Sequence, residues 1–245
     1  MVLIGITTDY EAAGEFPSRI EGEGRFLLRE NYAKAVEQAG GTPVLLPIMA
    51  DVNPVLDRLD GILISGGAFD IPPEMSGIPD PCKARKIRPE RTRFELELCK
   101  GAIERNIPIL GICGGMQLLA VTVGGKLIGD ILEEVPDAFD HEQKLPPNDF
   151  RHPVKVIPGT LMFRLVMQEK LGVNSTHHQA VRDPGGCAIS AWSPDGIVEA
   201  IELPDRYWVL GVQWHPELLT SRHEGHAAIF RGFVRACMDR NRPCD

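Results

Sequence analysis

The chain has 245 residues, 43% hydrophobic and 24% charged, proportions that exclude a disordered, collagen-like or coiled-coil protein. At roughly 100–200 residues per domain the length allows one large domain or two small ones, and with no visible linker or repeat we read 1–245 as one. The 26 basic and 34 acidic residues leave a net charge of −8, which argues against a nucleic-acid partner. From the N-terminus, MVLIGITTDYE has no cationic leader pattern. No stretch reaches the ~18 apolar residues of a membrane span. A soluble, cytoplasmic protein without a membrane partner is expected. The apolar run 2–7 predicts a buried strand. Phe26, Leu27, Tyr32, Ala33, Val36 and Ala39 have helical spacing, predicting a helix over 26–39 that Gly40 and Gly41 stop. A strand follows at 43–47, a short helix near 52–59 and a strand at 61–65. A helix over 91–105 buries Phe94, Leu98, Ala102 and Ile103. The strand 107–112 and the helix 114–123 complete this part.

Strands apolar on both faces and alternating with helices imply an α/β fold with a doubly wound, mostly parallel sheet. The last third differs. Runs at 154–157, 171–174, 188–193, 197–202 and 208–212 follow one another with turns between, which suggests added antiparallel strands. A helix over 224–238 closes the chain. The long irregular stretches 9–25, 68–89 and 136–149 are candidates for the walls of a site.

Six cysteines fall at 82, 99, 113, 187, 237 and 244. None form Cys-x-x-Cys, so reduced thiols are expected rather than a disulfide frame or a zinc ribbon. One stands apart. The segment ILGICGG at 109–115 is G-x-C-x-G between an apolar strand and a helix, the pattern of a nucleophile elbow. It places Cys113 at a helix N-terminus, where unpaired N–H groups and the macrodipole favour a thiolate. The Gly114 N–H can face a developing oxyanion. Far along the chain, WVLGVQWHPE at 208–217 runs from an apolar strand into His215 and Glu217. In an extended chain residues two apart share a side, so the carboxylate can hold one ring nitrogen and leave the other for a thiol proton. The Ser65-Gly66-Gly67 turn follows another strand, and Gly67 is the candidate second oxyanion donor.

The segment NSTHHQ at 174–179 is the fourth cluster. Neighbouring histidines on a strand point to opposite sides, and no further Cys or His has ligand spacing, so a polar ligand is expected there and no metal. His141, His152, His223 and His226 are scattered, and we read them as surface or capping residues.

GICGGMQ at 111–117, GVQWHPE at 211–217 and SGG at 65–67, in this order, resemble class I glutamine amidotransferase-like hydrolases of flavodoxin-like fold. The segments at 31–41, 93–96, 174–181 and 193–199 make the chain similar to the γ-glutamyl-γ-aminobutyrate hydrolase family, peptidase C26, over nearly its whole length. That resemblance implies Cys113 as nucleophile, His215 as general base and acid, Glu217 as its orienter, and Gly67 and Gly114 as the oxyanion hole. It further implies that Gln117 and the segment containing Asn174, Ser175, His177, His178 and Gln179 hold the glutamyl group of a small substrate, with no cofactor. One departure is Gly114, where many members carry arginine. A glutaminase subunit feeding a separate synthetase and a non-catalytic binding module are the rival readings, and a homodimer is an open option.

Overall fold

Strands with no polar face need cover on both sides, and that need organises the molecule. The computed structural model describes residues 1–144 and 146–240; Leu145, inside the long stretch 136–149, and Cys244 lie outside them. In chain order the elements are β1 (Leu3–Thr7), β2 (Asp9–Glu11), β3 (Arg25–Leu27), α1 (Glu30–Gln38), β4 (Thr42–Leu46), α2 (Asn53–Leu56), β5 (Gly61–Ile64), α3 (Pro73–Ser76), α4 (Pro89–Glu104), β6 (Ile109–Ile112) and α5 (Gly114–Thr122). There follow β7 (Lys126–Ile128), α6 (Ile131–Glu134), β8 (His152–Val156), α7 (Leu161–Val166), β9 (Lys170–Val173), β10 (Ala180–Asp183), β11 (Ala188–Trp192), β12 (Val198–Glu202), β13 (Val209–Val212) and α8 (Glu224–Arg240).

The main sheet has the order β4-β1-β5-β6-β13-β12-β11-β8-β9. Pairing is parallel from β4 to β13 and antiparallel from β13 onward. β10 branches off, pairing antiparallel with β12 and β7. The strands β5, β6 and β13 are buried at every position. On one face α1, α7 and α8 bring residues such as Val36, Met162, Phe230 and Phe233 against the sheet. On the other, α2, α4 and α5 supply Leu56, Phe94, Leu98 and Leu119. The parallel block reads 2-1-3-4-5 in chain order, a doubly wound arrangement whose ligand crevice lies beyond the carboxyl ends of its strands. The α/β class, with antiparallel strands contributed by the C-terminal third, is the one the sequence pattern implied.

Two elements begin elsewhere than periodicity suggested. The helix expected from residue 26 starts at Glu30, and residues 25–27 instead pair with 9–11 in an exposed two-stranded ribbon. Phe26 meets Tyr10 there at a tilt of 45°, 5.3 Å between centroids, so its apolar spacing served an aromatic pair rather than a helix face. The helix expected at 91–105 starts two residues earlier at Pro89, where the missing N–H carries no penalty.

Candidate active site

The elbow between β6 and α5 is a strained turn. Cys113 has φ 54° and ψ −108°, a region that costs a non-glycine residue about 1–3 kcal/mol. The surroundings hold it there. Its N–H donates to the Val212 carbonyl at 2.8 Å, and its carbonyl accepts from the N–H groups of Met116 and Gln117 at 3.0 and 3.2 Å. The flanking glycines are sterically required. A Cβ on Gly111 would sit 2.6 Å from the Gly115 carbonyl oxygen, and one on Gly115 would run into the Ile64 carbonyl. Their absence lets α5 start directly against β5 and β6.

Because β13 lies beside β6, with Val212 opposite Ile112, the chain leaving β13 arrives next to Cys113. Gln213 Nε2 points at the Cys113 Sγ from 3.7 Å. His215 Nδ1 meets Glu217 Oε1 at 2.8 Å, as a carboxylate acceptor requires if that nitrogen carries the proton. The pair does not form through strand alternation, as expected above. Pro216–Leu218 is a 3-10 turn, and the turn folds Glu217 back under the ring. Asn174 fixes the same backbone: it donates from Nδ2 to the His215 carbonyl at 3.0 Å and accepts the His215 N–H at 2.8 Å. Burial by itself would lower the His215 pKa. The charges of Glu217 and then of Cys113, with hydrogen bonds to both, outweigh it and carry the imidazole up to about 10.

The turn after β5 comes next to this group. Gly66 donates its N–H to the Tyr32 hydroxyl at 3.1 Å, and that hydroxyl lies 3.4 Å from His215 Nδ1. Burial, reinforced by the charges of Glu217 and Cys113, pushes the Tyr32 phenol well up, so it stays un-ionised. A Cβ on Gly66 would lie 2.9 Å from His215 Cε1. Arg91, buried in the first turns of α4, reaches under the loop. It donates to the carbonyls of Ser65 and Gly66 at 3.0 and 3.1 Å and pairs with Asp9 at 2.8 Å and Glu95 at 3.0 Å. A Cβ on Gly67 would strike that guanidinium. The N–H groups of Gly67 and Gly114 have no protein acceptor among the described residues and both glycines line the cavity with Cys113.

The cavity has a volume of about 520 Å³. Besides Cys113, Gly67, Gly114 and His215, it takes Gln117, His177, His178 and Gln179 into its wall. Gln117 is anchored by donating to the Gln179 carbonyl at 3.1 Å and to Gln213 Oε1 at 3.2 Å. His178 is held between Asp70 at 3.0 Å and Asp130 at 3.4 Å. Asn174 and Ser175 are not in the wall: the first clamps His215, and the second donates to the His141 carbonyl at 2.7 Å. Tyr32, Arg91 and Gln213 were not singled out from the sequence. The G-V-Q-W-H-P-E string contained Gln213, and its place two residues before His215 on a strand end was the available signal. Of the scattered histidines, His141, His152 and His226 are buried rather than on the surface, because the long loop, the inner face of β8 and the closing helix turn them inward; His223 is half-buried.

A doubly wound sheet that presents a cysteine elbow to a histidine–glutamate pair defines a glutamine amidotransferase-like hydrolase. The chain belongs to the Peptidase C26 family, whose profile matches residues 2–217. It is 36% identical over 211 residues to Protein NtpR of Enterococcus hirae, covering 84% of this chain and 87% of that one. It is 34% identical over 238 residues to the gamma-glutamyl-gamma-aminobutyrate hydrolase of Escherichia coli O157:H7, covering 90% of each. A solved structure from Thermoplasma acidophilum, described as one subunit of a GMP synthase, has a TM-score of 0.65 at 21% identity, covering 98% of this chain and 96% of that one, a likeness of fold alone. No helix among the described residues is long and apolar enough to cross a membrane.

Proposed function

We propose that the protein hydrolyses the γ-glutamyl amide bond of a small γ-glutamyl compound through a thioester on Cys113. The observation that carries this reading is the strained Cys113 turn next to His215, whose ring is held by Glu217 at 2.8 Å. The Cys113 sulfur attacks the γ-carbonyl carbon and forms the C–S bond. The carbonyl electrons move onto oxygen, where the N–H groups of Gly67 and Gly114 receive them. The protonated His215 gives its proton to the leaving nitrogen as the C–N bond breaks. Water then attacks the thioester while His215 takes its proton. The C–S bond breaks, and glutamate and the free amine leave with the thiol regenerated. Gln117, His178 and Gln179 face the bound glutamyl group, while Asn174 and Ser175 act from behind the wall.

The leaving amine is placed on the Gly114 side. A Cβ there would meet nothing within 4 Å, so the space an arginine side chain would fill in related proteins is open to substrate. The test is a panel of γ-glutamyl amides, γ-glutamyl-aminobutyrate and γ-glutamyl-anilide included, with glutamate release as readout from the purified chain. Release without additions, abolished in Cys113→Ala, is the expected result. Turnover of glutamine only after a synthetase partner is added would replace this reading with that of a glutaminase subunit. Full activity in Cys113→Ala would remove the proposed nucleophile.

A further inference from the structure

Behind the His177 wall of the cavity lies a second cluster that the proposed chemistry does not use. His141 comes from the long loop, His152 from the start of β8, His177 from the chain after β9 and Glu199 from β12. All four side chains are more than nine-tenths buried. His141 Nδ1 and His152 Nε2 each lie 3.4 Å from Glu199 Oε1, and His177 Nε2 lies 3.9 Å from it. One ligand atom from each of His141, His152 and Glu199 falls within 4.8 Å of the others.

The hydrogen bonds around the cluster decide what each ring offers to its centre. His141 Nε2 faces Asp195 Oδ2 at 3.1 Å, His152 Nδ1 the Pro153 carbonyl at 3.2 Å, and His177 Nδ1 the Gln179 carbonyl at 2.9 Å. Each of those oxygens is an acceptor, so each ring spends its N–H outward. The inward nitrogen is then a lone pair. Ser175 does not change this at His141: its hydroxyl lies 3.2 Å from Nδ1, but its proton goes to the nearer carbonyl, 2.7 Å away. Among the described residues, both Glu199 oxygens and the inward nitrogens of His152 and His177 are buried without a hydrogen-bond partner. The result is a closed pocket of acceptors with no donor. A single proton on Glu199 would reach one nitrogen and leave the rest unpaired. A cation at the centre would be ligated by Glu199 and by the inward nitrogens of His141 and His152 together.

We propose that His141, His152 and Glu199 bind one divalent transition-metal ion of the zinc class as a buried structural site, with the His177 ring beside its fourth position. Ligands about 2.0–2.1 Å from a tetrahedral zinc lie about 3.3–3.4 Å apart, which two of the three separations match. Imidazoles and a carboxylate suit zinc or cobalt, whereas calcium and magnesium ask for six or more oxygens. Imidazoles whose second nitrogen is held by a carboxylate or a backbone carbonyl are the usual form of metal-ligating histidine. The three ligands and the His177 ring beside them are all buried behind the cavity wall, so the ion holds structure. It would pin the loop carrying His141, and Glu142 with it, against the sheet beneath the cavity. The site draws on four separate segments, so no sequence spacing announces it.

The test uses the full chain. Protein purified from zinc-supplemented medium is assayed for metal by plasma mass spectrometry, stripped with a chelator, and titrated with zinc and with cobalt. About one ion per chain is expected, with a thermal midpoint several degrees above that of the stripped protein. Cobalt should give the visible bands of a tetrahedral site without a sulfur charge-transfer band. Cys113→Ser should bind unchanged, and His152→Asn and Glu199→Gln should each lose affinity by about 100-fold or more. Zinc far below one equivalent with no thermal shift would overturn the proposal. So would a sulfur charge-transfer band, or undiminished binding in both variants. Should those variants fail to fold, the zinc and cobalt titrations of the unaltered chain and of Cys113→Ser decide alone.

Discussion

The proposed mechanism asks Cys113 to be both a reactive side chain and a backbone turn that suits glycine. At φ 54° and ψ −108° a Cβ is costly, while a glycine accepts the same angles freely. The usual order of the two small residues should therefore reverse here. Cys113→Gly and Cys113→Ala should both lose turnover, and the glycine variant should be the more stable by about 1 kcal/mol, measured by urea unfolding. An alanine variant more stable than the glycine one would show that the turn is not strained. The histidine makes a second prediction. In the proposed mechanism His215 must carry a proton to release the amine, and its pKa of about 10 keeps that proton through neutral pH. The activity should fall as pH rises through that value. Glu217 is the largest influence holding the proton on, so Glu217→Gln should move the alkaline limb of kcat/KM to lower pH by about one unit or more, with turnover reduced about 10²–10⁴-fold. An unmoved alkaline limb would exclude Glu217 as the orienting carboxylate. Cys113, His215 and Glu217 were legible in the sequence because each lies in a short contiguous string. Tyr32 and Arg91 were not, and Asn174 was expected to hold the glutamyl group rather than to clamp the His215 backbone. Tyr32 sits on the buried face of α1 and reads as core, and Arg91 and Asn174 act on backbone far along the chain.

Among the elements, those with an apolar stripe of one period were legible, and those whose role depends on a distant partner were not. β7 and β10 are short and pair with each other across about fifty residues, so neither shows a pattern of its own. The closing helix α8 was visible as an amphipathic run, but its tie to the rest was not. His226 Nε2 faces the Gly172 carbonyl at 3.0 Å, and its Nδ1 accepts from the Trp214 indole N–H at 3.3 Å. That assignment admits only the neutral ring, since a second ring proton would point at the indole N–H. Burial, with a smaller effect of the His223 charge, lowers the His226 pKa to about 4. The unfolded chain takes up this proton near pH 6.5 and the folded one only near 4, so His226 leaves stability intact above 6.5 and erodes it as pH falls between the two. The loss amounts to on the order of 3 kcal/mol once pH is below both values. His226→Gln should remove this share, so the gap in urea midpoint between variant and parent should narrow as pH drops through that window. A gap independent of pH would mean that the ring is not held neutral. Other buried imidazoles titrate the same way in both proteins and cancel in the comparison.

Over the whole molecule, one continuous sheet runs through both halves of the chain. β13 comes late in the chain yet sits between β6 and β12, so it is the seam between the parallel block and the antiparallel strands. The seam also carries the site. Cys113 donates its N–H to Val212, and the Gln213 N–H donates to the Glu199 carbonyl at 2.8 Å. Without β13, both β6 and β12 would expose a bare edge, and the apolar side chains of α5 would lose their cover over Gly211. Such a chain should unfold in one step despite its length. The sequence provides a probe for this, because its three tryptophans, Trp192, Trp208 and Trp214, all lie in the last third. Their fluorescence reports the C-terminal strands, while far-UV circular dichroism draws largely on α1, α4 and α5 in the first two-thirds together with α8. The urea transitions followed by the two signals should coincide in midpoint and slope. A chain ending at residue 205, which lacks β13 and α8, should give no cooperative transition by either signal. Two separated transitions in the intact chain, or a folded truncated one, would mean that the halves are independent domains and that Cys113 and His215 meet only at an interface between them.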